Sequence, residues 1–219
     1  MKRLTAVAFA ALFVAACQPQ AAAPEKAEAP APATPAGAPV AGQPAPNFTL
    51  VDADGTQRSL ADFRGRTVVL EWTNEGCPYV KKHYTGAMQA LQREAVADGV
   101  VWLTINTTAR DHGDYKPPAE MAAWMKAQKA AATATLMDAE GTVGRAYGAR
   151  TTPHMYVINP AGTLVYAGAI DSKPSANPAD IPGATNHVKQ ALAESLAGKP
   201  VTVASTRAYG CTVKYPSPA

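Results

Sequence analysis

Apolar and polar residues alternate with two different periods along the chain, and these periods predict a strand–helix–strand unit. The runs 67–72 and 100–106 are apolar and rich in β-branched residues, a pattern typical of strands buried on both faces. Between them, over 77–97, apolar residues recur at helical spacing, and Gly99 follows the end. We therefore expect one long helix that connects two parallel strands.

Weaker patterns extend this unit in both directions along the chain. Upstream, a strand is expected at 47–52 and a loop or single helical turn at 59–65. Downstream, the pattern predicts helices at 118–131, 141–147 and 182–197 and strands at 134–137, 155–159 and 163–168. The last two strands are joined by Asn159-Pro160-Ala161-Gly162, which has the composition of a tight turn. Together the elements indicate the α/β class.

The first residues have the composition of an export signal. Lys2 and Arg3 are basic, and the apolar stretch Leu4–Ala16 is too short to span a bilayer as a helix. Small residues lead directly into Cys17, a pattern that resembles a bacterial lipoprotein signal, in which the cysteine is lipidated and becomes the mature N-terminus. We expect a signal peptide at 1–16 and a membrane-anchored protein in the cell envelope, with its domain in the periplasm. An ordinary secretory signal is the alternative.

Composition divides the rest of the chain into three parts. Residues 17–43 are almost entirely Ala, Pro, Gly, Gln and Glu after the cysteine, which predicts a disordered tether. Residues 44–198 suit one domain with its own core, and 199–219 form an irregular tail that carries Cys211. The formal net charge is only +3, without a basic patch interleaved with aromatics, so nucleic acid is not predicted as a partner.

The cysteine count points to redox chemistry. Of the three cysteines, Cys17 is assigned to lipidation, which leaves Cys77 and Cys211 in a compartment that permits disulfides. These two are expected either to form a redox pair or to make a permanent structural disulfide. Both alternatives stay open at this stage, because sequence cannot place two thiols within bonding distance.

Cys77 lies where an apolar strand ends and a helix begins. Helix N–H groups there favour a thiolate, the form in which a cysteine is a nucleophile, and Lys81 and Lys82 add positive charge nearby. At least one of these lysines is expected to lie on a solvated helix face. Val80 occupies the position where a Cys-x-x-Cys motif would have its second cysteine. A nucleophile without its usual neighbour is therefore predicted.

The order of elements, with a cysteine opening the first long helix, resembles the thioredoxin fold and in particular its redoxin branch, the alkyl hydroperoxide reductase/thiol-specific antioxidant family with the peroxiredoxins. The segments that carry the resemblance are 59–65, 75–78, 138–141, 147–148, 151–153 and 159–168. It implies a thioredoxin-like three-layer α/β fold, in which a central mixed sheet is flanked by helices, and a thiol-dependent oxidoreductase.

The resemblance also implies site residues. Pro153 is expected to be cis and to face Cys77, with the neighbouring backbone pairing with bound peptide. The implied catalytic set is Cys77, Cys211, Thr73 and Pro153, and the implied substrate-binding set is Thr152, Pro78, Trp72 and Arg150. His154 is a further candidate neighbour of Cys77.

The chain departs from the peroxiredoxin pattern at several positions. Asn74 stands where those enzymes have threonine, and Leu70 stands where they have proline. Thr73 is one residue out of register, and Arg150 is close to the expected peroxide-binding arginine without being aligned with it. These departures make the peroxide site incomplete.

Three functions remain open from the sequence. The first is thiol–disulfide exchange, in which Cys77 attacks a protein disulfide and Cys211 resolves the mixed disulfide. The second is a peroxiredoxin-like antioxidant peroxidase, in which Cys77 becomes a sulfenic acid. The third is a non-catalytic scaffold. No cofactor is expected, and no metal either, because the four histidines, at 83, 112, 154 and 187, have no ligand spacing.

Overall fold

A mixed β-sheet organises the chain in the computed structural model, which describes residues 37–217. The predicted signal peptide, Cys17 and most of the tether lie outside the described residues. The strands are β1 (Thr49–Asp52), β2 (Gln57–Ser59), β3 (Val68–Trp72), β4 (Val101–Asn106), β5 (Ala134–Met137), β6 (Thr151–Thr152), β7 (His154–Ile158), β8 (Leu164–Gly168) and β9 (Cys211–Thr212).

Seven of these strands form one sheet, in the order β2-β1-β5-β4-β3-β7-β8. The β3–β4 and β4–β5 pairs are parallel, and the other pairs are antiparallel. β6 and β9 form a separate two-stranded sheet. The predicted parallel pair and the predicted hairpin of the last two long strands are both confirmed, whereas the three-residue strand β2 was not predicted. Its shortness explains the omission, since three residues carry almost no periodicity.

The helices are α1 (Pro78–His83), α2 (Ala87–Ala97), α3 (Pro118–Ala127), α4 (Thr142–Tyr147) and α5 (His187–Leu196). The prediction of one long helix over 77–97 is wrong, because Gly86 has a φ of 134° that no helix accommodates. The predicted start of the last helix at 182 is also too early. Asn186 caps α5 instead, and its side-chain oxygen accepts a hydrogen bond from the Lys189 N–H.

Backbone pairing with the domain begins before residue 44, the predicted domain boundary. The Gly42 N–H donates to the Leu164 carbonyl, and the Leu164 N–H donates to the Gln43 carbonyl, both within 2.9 Å. The end of the predicted tether is thus paired with the start of β8. Within residues 37–217, no helix has both the length and the apolar character needed to cross a membrane.

Alternating residues of β3 divide the core into two halves, one on each face of the sheet. Val69 packs with α1, α2, α3 and α5, in the half that also contains Cys77. Val68, Leu70 and Trp72 point to the opposite half, which α4 covers. This period-2 alternation is the pattern that a strand between two helix layers must have.

Glu71, on the same face of β3 as Val69, is a fully buried carboxylate in the first half of the core. Its oxygens accept hydrogen bonds from the Tyr84 hydroxyl at 2.9 Å, the Gln92 amide at 3.1 Å and the Trp102 indole N–H at 2.7 Å. Burial raises the pKa of Glu71 from 4.5 to about 7, although the three donors lower it again in part. The donors satisfy the carboxyl oxygens, and within residues 37–217 no cation is paired with them.

We predict that Glu71→Gln removes a pH dependence of stability. The native carboxyl holds its proton up to about pH 7, whereas an unfolded glutamate loses it near 4.5. Glu71 therefore stabilises the fold fully below pH 4.5, and this contribution is lost as the pH rises through 7, by about 3 kcal/mol. Part of this loss has already occurred at pH 5. Between pH 5 and pH 8, denaturant unfolding should therefore show the free energy of unfolding of the variant rising by about 2.5 kcal/mol relative to that of the wild type.

Glu140→Gln is the matched control, because the Glu140 side chain is 74% exposed. This substitution removes the same charge without the burial, so the pH dependence of stability should follow the wild type. A Glu71→Gln profile parallel to that of the wild type would contradict the expected titration of Glu71.

Candidate active site

The turn before α1 presents Cys77. Asn74 shapes this turn: its side-chain oxygen accepts from the Gly76 N–H at 2.8 Å, and its backbone carbonyl accepts from the Cys77 N–H at 3.2 Å. Asn74 is itself held by Thr108, whose hydroxyl accepts from the Asn74 amide at 3.1 Å. Cys77 then caps α1, with Pro78 as the first helical residue. The cysteine is fixed at a helix start, as predicted, but only 2% of it is exposed.

The loop between α4 and β7 lies against the Cys77 sulfur. The Thr152–Pro153 peptide is cis, as expected. The Cys77 thiol donates a hydrogen bond of 3.0 Å to the Thr152 carbonyl. The structure therefore brings Cys77 and Thr152 together, next to the cis peptide.

The C-terminal tail has little regular secondary structure, as predicted, but it contains the short strand β9. β9 pairs antiparallel with β6, with Cys211 opposite Thr152 and Thr212 opposite Thr151. The tail is held further along by the Tyr215 hydroxyl, which donates to the Ala149 carbonyl at 2.6 Å. A two-residue strand is too short to show a periodicity in the sequence, so β9 is recognised only by its pairing with β6.

The pairing of β9 with β6 places Cys211 next to Cys77. Cys211 packs against the half of the core that contains Cys77, and both cysteines are free thiols. Burial raises the pKa of the Cys211 thiol, and the adjacent Cys77 raises it further through hydrogen bonding and charge. Lys214 and the backbone N–H of Tyr79 act in the opposite direction. Cys211 is consequently a protonated thiol at neutral pH.

Gly210 lets the tail approach β6 closely. A Cβ at this position would lie 2.1 Å from the Thr152 carbonyl oxygen, and its φ of 138° is in the region that favours glycine. Only a residue without a side chain fits between the tail and the cis-proline loop.

A cluster of buried polar groups lies at the other end of α1. Lys82 is almost completely buried, and its ammonium donates to the Lys173 carbonyl at 2.9 Å and to the Asp171 carboxylate at 3.4 Å. Asp171 also accepts a hydrogen bond from the Tyr209 hydroxyl. Lys81, by contrast, is exposed. The expectation that one of the two lysines is solvated is confirmed, while the other holds the tail through Asp171.

His83 belongs to the same cluster. Its Nε2 lies 3.3 Å from the Tyr209 hydroxyl oxygen and 3.8 Å from the Asp171 carboxylate. Burial lowers the pKa of His83 to about 4, and Lys82 lowers it as well, although Asp171 acts against both. His83 is therefore neutral at pH 7, so that Lys82 is the one cation facing Asp171 in this cluster.

Three other predicted site residues lie away from Cys77. Trp72 is fully buried in the opposite half of the core, where its indole N–H donates to Thr107, so it has no surface to offer a substrate. His154 also packs on that face, with its ring 4.6 Å from that of Tyr156. Arg150 is exposed and lines a cleft of about 400 Å³ with His154. The expected proximity of His154 to Cys77 is thus wrong, because alternation along β7 turns it to the other face.

Thr73 remains a prediction without a contact to support it. It is fully buried directly after β3, where its backbone carbonyl accepts from the Asn106 amide at 3.2 Å. Within residues 37–217 no hydrogen bond joins Thr73 to the Cys77 sulfur.

Burial lowers the pKa of His154, and the nearby Arg150 lowers it further, to about 4, so this imidazole is neutral at pH 7.

Sequence reasoning missed the residues that place the two cysteines. Asn74 was noted only as a departure from the peroxiredoxin pattern, although an Asn two residues before a Gly is a recognisable turn signal. Lys82 was expected only as a charge near Cys77, and its contact with Asp171 was not predicted. The roles of Asp171, Tyr209 and Gly210 arise from contacts between distant segments, which no local pattern contains. In the part of the chain that the structure describes, no three His, Cys, Asp or Glu side chains gather as a metal site.

Comparison with known proteins agrees with this architecture. A sequence model of the AhpC/TSA family matches residues 41–167. No curated protein gives a significant sequence match. The similar solved structures include a hypothetical protein of Sinorhizobium meliloti, with a TM-score of 0.71 and 24% identity over 82% of this chain and 96% of that one.

Two further structures share the fold. An uncharacterized conserved protein of Geobacillus kaustophilus has a TM-score of 0.70 and 25% identity, covering 82% of this chain and 94% of that one. A candidate thiol:disulfide interchange protein DsbE of Chlorobium tepidum has a TM-score of 0.54 and 20% identity, over 73% of this chain and 99% of that one. The predicted thioredoxin-like α/β fold is confirmed.

We predict that Gly210→Ala detaches β9 and exposes Cys77. The added Cβ would collide with Thr152, and backbone strain of this kind costs about 1–3 kcal/mol. Since each 1.4 kcal/mol is tenfold in an equilibrium, alkylation of Cys77 by iodoacetamide in the reduced protein should be faster by about tenfold or more. Peptide mass spectrometry identifies the labelled cysteine.

Gly113→Ala is the control, because a Cβ there would meet no atom within 4 Å. Its Cys77 should react at the wild-type rate. If Cys77 of Gly210→Ala reacted no faster than that of Gly113→Ala, β9 would not be what covers the sulfur.

Proposed function

The chain belongs to the AhpC/TSA family, and from that premise we propose that it is a thiol–disulfide oxidoreductase in which Cys77 is the nucleophile and Cys211 the resolving thiol. One observation carries the proposal: Thr152 holds both cysteines, the first by the hydrogen bond from its thiol and the second by strand pairing. Two free thiols held at the same residue, in a redoxin domain, form a site for reversible disulfide chemistry.

The first step is attack on a substrate disulfide. The Cys77 thiolate bonds to one substrate sulfur, the substrate S–S bond breaks, and the other sulfur leaves as a thiolate that takes up a proton. Cys77 acts first because the raised pKa of Cys211 keeps that residue a thiol at neutral pH. Since Cys77 is almost completely buried and the Cys211 thiol lies next to it, the tail moves aside in this step.

The second step resolves the mixed disulfide. Cys211 loses its proton and attacks the Cys77 sulfur, and the remaining substrate sulfur leaves as a second thiolate. Deprotonation of Cys211 is easier at this stage, because a Cys77 sulfur in a disulfide has no charge and no longer raises the pKa of Cys211. In sum, the substrate gains two electrons and two protons, and Cys77 and Cys211 become a disulfide. A thiol reductant then returns both cysteines to the starting state.

The group that faces the Cys77 sulfur favours disulfide exchange over peroxide reduction. The hydrogen-bond partner of the Cys77 thiol is the Thr152 carbonyl, which accepts and has no proton to offer a peroxide oxygen. Arg150, which is near the position of the expected peroxide-binding arginine without being aligned with it, is exposed at the cleft beside His154. Peroxide reduction at Cys77 is the competing outcome of the test below.

We further propose that the protein is lipid-anchored through Cys17, with its domain in the periplasm. The support is the sequence alone: a basic start, a short apolar segment and small residues directly before the cysteine. A lipid anchor with more than one acyl chain binds membranes stably. Protein disulfides in the envelope are then the expected substrates.

A chromogenic aromatic disulfide, dithiobis-nitrobenzoate, tests the mechanism at one equivalent per protein. Wild-type protein should release two aromatic thiolates and form a Cys77–Cys211 disulfide that peptide mapping detects. Cys211→Ser should release one and stop at a mixed disulfide on Cys77. Cys77→Ser should lose the fast reaction, by at least about a hundredfold, because the nucleophile is gone.

Two results would overturn this assignment. If Cys77→Ser reacted like the wild type, the domain would be a scaffold. If wild-type protein ignored the aromatic disulfide but hydrogen peroxide rapidly gave one sulfenic acid at Cys77, the protein would be a peroxidase.

The anchor has its own test. Full-length protein expressed in a bacterium should fractionate with membranes, and Cys17→Ser should abolish lipidation, seen as loss of the acyl mass on the N-terminal peptide. A wild-type protein without acyl groups would instead support an ordinary secretory signal.

A further inference from the structure

Two tail residues reach α1 from the same side. Tyr209 and Cys211 flank Gly210, where the chain bends, and both reach Tyr79 in the first turn of α1. Tyr209 packs its ring against Tyr79, with centroids 5.9 Å apart, and Cys211 lies beside the Tyr79 backbone N–H. Gly210 between them faces Thr152. The position of Tyr209 along the tail therefore decides where the Cys211 sulfur lies.

Tyr209 is in turn held by buried charges. Its hydroxyl donates to Asp171, which is paired with the buried Lys82. The Lys82 ammonium also lies 5.6 Å from the centre of the Tyr209 ring. His83 adds a contact to the hydroxyl, with its Nε2 at 3.3 Å. Hydrogen bonds to charged groups inside a protein are stronger than those between neutral groups. The bond to Asp171 therefore holds Tyr209, and with it the tail, more strongly than a neutral bond would.

One end of α1 carries Cys77, and the other end helps to hold the tail that carries Cys211. Cys77 is at the start of the helix, and Lys82 and His83 are at its end. Because both ends belong to one short rigid helix, fixing Tyr209 at the far end fixes Cys211 relative to Cys77. The buried charges are not needed for attack by Cys77 itself, since Lys82 contacts Asp171 and the Lys173 carbonyl rather than the sulfur.

We propose that Tyr209, anchored to Asp171 and Lys82, is a positioning residue that holds Cys211 for the second step of disulfide exchange. This inference rests on the proposed function and specifies how its resolving step is organised. Tyr209 acts through Cys211 and does not touch the substrate. When its hydroxyl is bound, the effective concentration of Cys211 at the Cys77 sulfur is higher than it would be with an unattached tail.

The variant Tyr209→Phe tests the proposal, because it keeps the ring and removes only the hydroxyl. In the two-phase release of thiolate from dithiobis-nitrobenzoate, the second phase should slow by about tenfold, which corresponds to about 1.4 kcal/mol. The first phase should be unchanged or faster, because Cys77 is less tightly covered. The Cys77–Cys211 disulfide should also be easier for reduced glutathione to open, by a similar factor in its equilibrium constant.

Tyr215→Phe is the matched comparison. It also removes a single tyrosine hydroxyl from the same tail, the one that donates to the neutral Ala149 carbonyl, outside the charged cluster. Its second phase should stay within about threefold of the wild type, since Tyr209 still holds Cys211 and each factor of ten requires about 1.4 kcal/mol. Unfolding midpoints of both variants verify that the domain remains folded.

The outcomes separate the two claims. A wild-type protein that forms no Cys77–Cys211 disulfide overturns the proposed function and this inference together. A wild type that forms it, with a second phase in Tyr209→Phe as fast as in the wild type, overturns the role of Tyr209 alone. Equal slowing in Tyr209→Phe and Tyr215→Phe also overturns it, because the tail would then be held by its contacts in general.

Discussion

The pairing of β9 with β6 is the contact on which the site depends. Its backbone hydrogen bonds bring Cys211 to Thr152, and the Thr152 carbonyl is also the acceptor for the Cys77 thiol. A two-residue ladder is weak by itself, since isolated strand pairs are marginal in water. It is maintained by its surroundings: Gly210 permits the close approach, and Tyr209 and Tyr215 hold the tail on either side of the cysteine.

The half of the core under α1 and α2 buries several charged or polar side chains, among them Glu71 and Lys82. Glu71 receives three hydrogen bonds without a cation, whereas Lys82 and Asp171 form an ion pair at the helix end. Each group has partners, as burial in a medium of low polarity requires. Buried ion pairs contribute little net stability, because desolvation offsets their attraction. The position of the Lys82–Asp171 pair, between α1 and the tail, fits a role in geometry better than one in stability.

The two cysteines also differ in a way that suits their order of reaction. Cys77 is fixed at the start of α1, whereas burial and the neighbouring sulfur raise the pKa of Cys211 and keep it a thiol at neutral pH. The family pattern explains the domain and the cis proline. It does not explain the tail, which lies beyond residue 167, where the family match ends. The second thiol of the proposed cycle is therefore supplied by a segment outside the family match.

Local patterns in the sequence were sufficient for most of the fold. Buried strands such as β3 and β4 and the cysteine at a strand-to-helix junction follow from periodicity and composition, because these depend on residues close together in the chain. Fold resemblance, in turn, was sufficient to predict the cis peptide before Pro153. The break at Gly86 escaped prediction, since apolar spacing continues across it.

Only the tertiary structure decided what Cys77 has beside it. That Cys211 faces it, that His154 does not and that Lys82 is buried while Lys81 is exposed all depend on which distant segments pack together. Such contacts are fixed by the summed packing of the whole core, and no short window of sequence contains them. The sequence alone determined that a cysteine opens a helix in a thioredoxin-like domain. The folded tail determined which thiol can reach it.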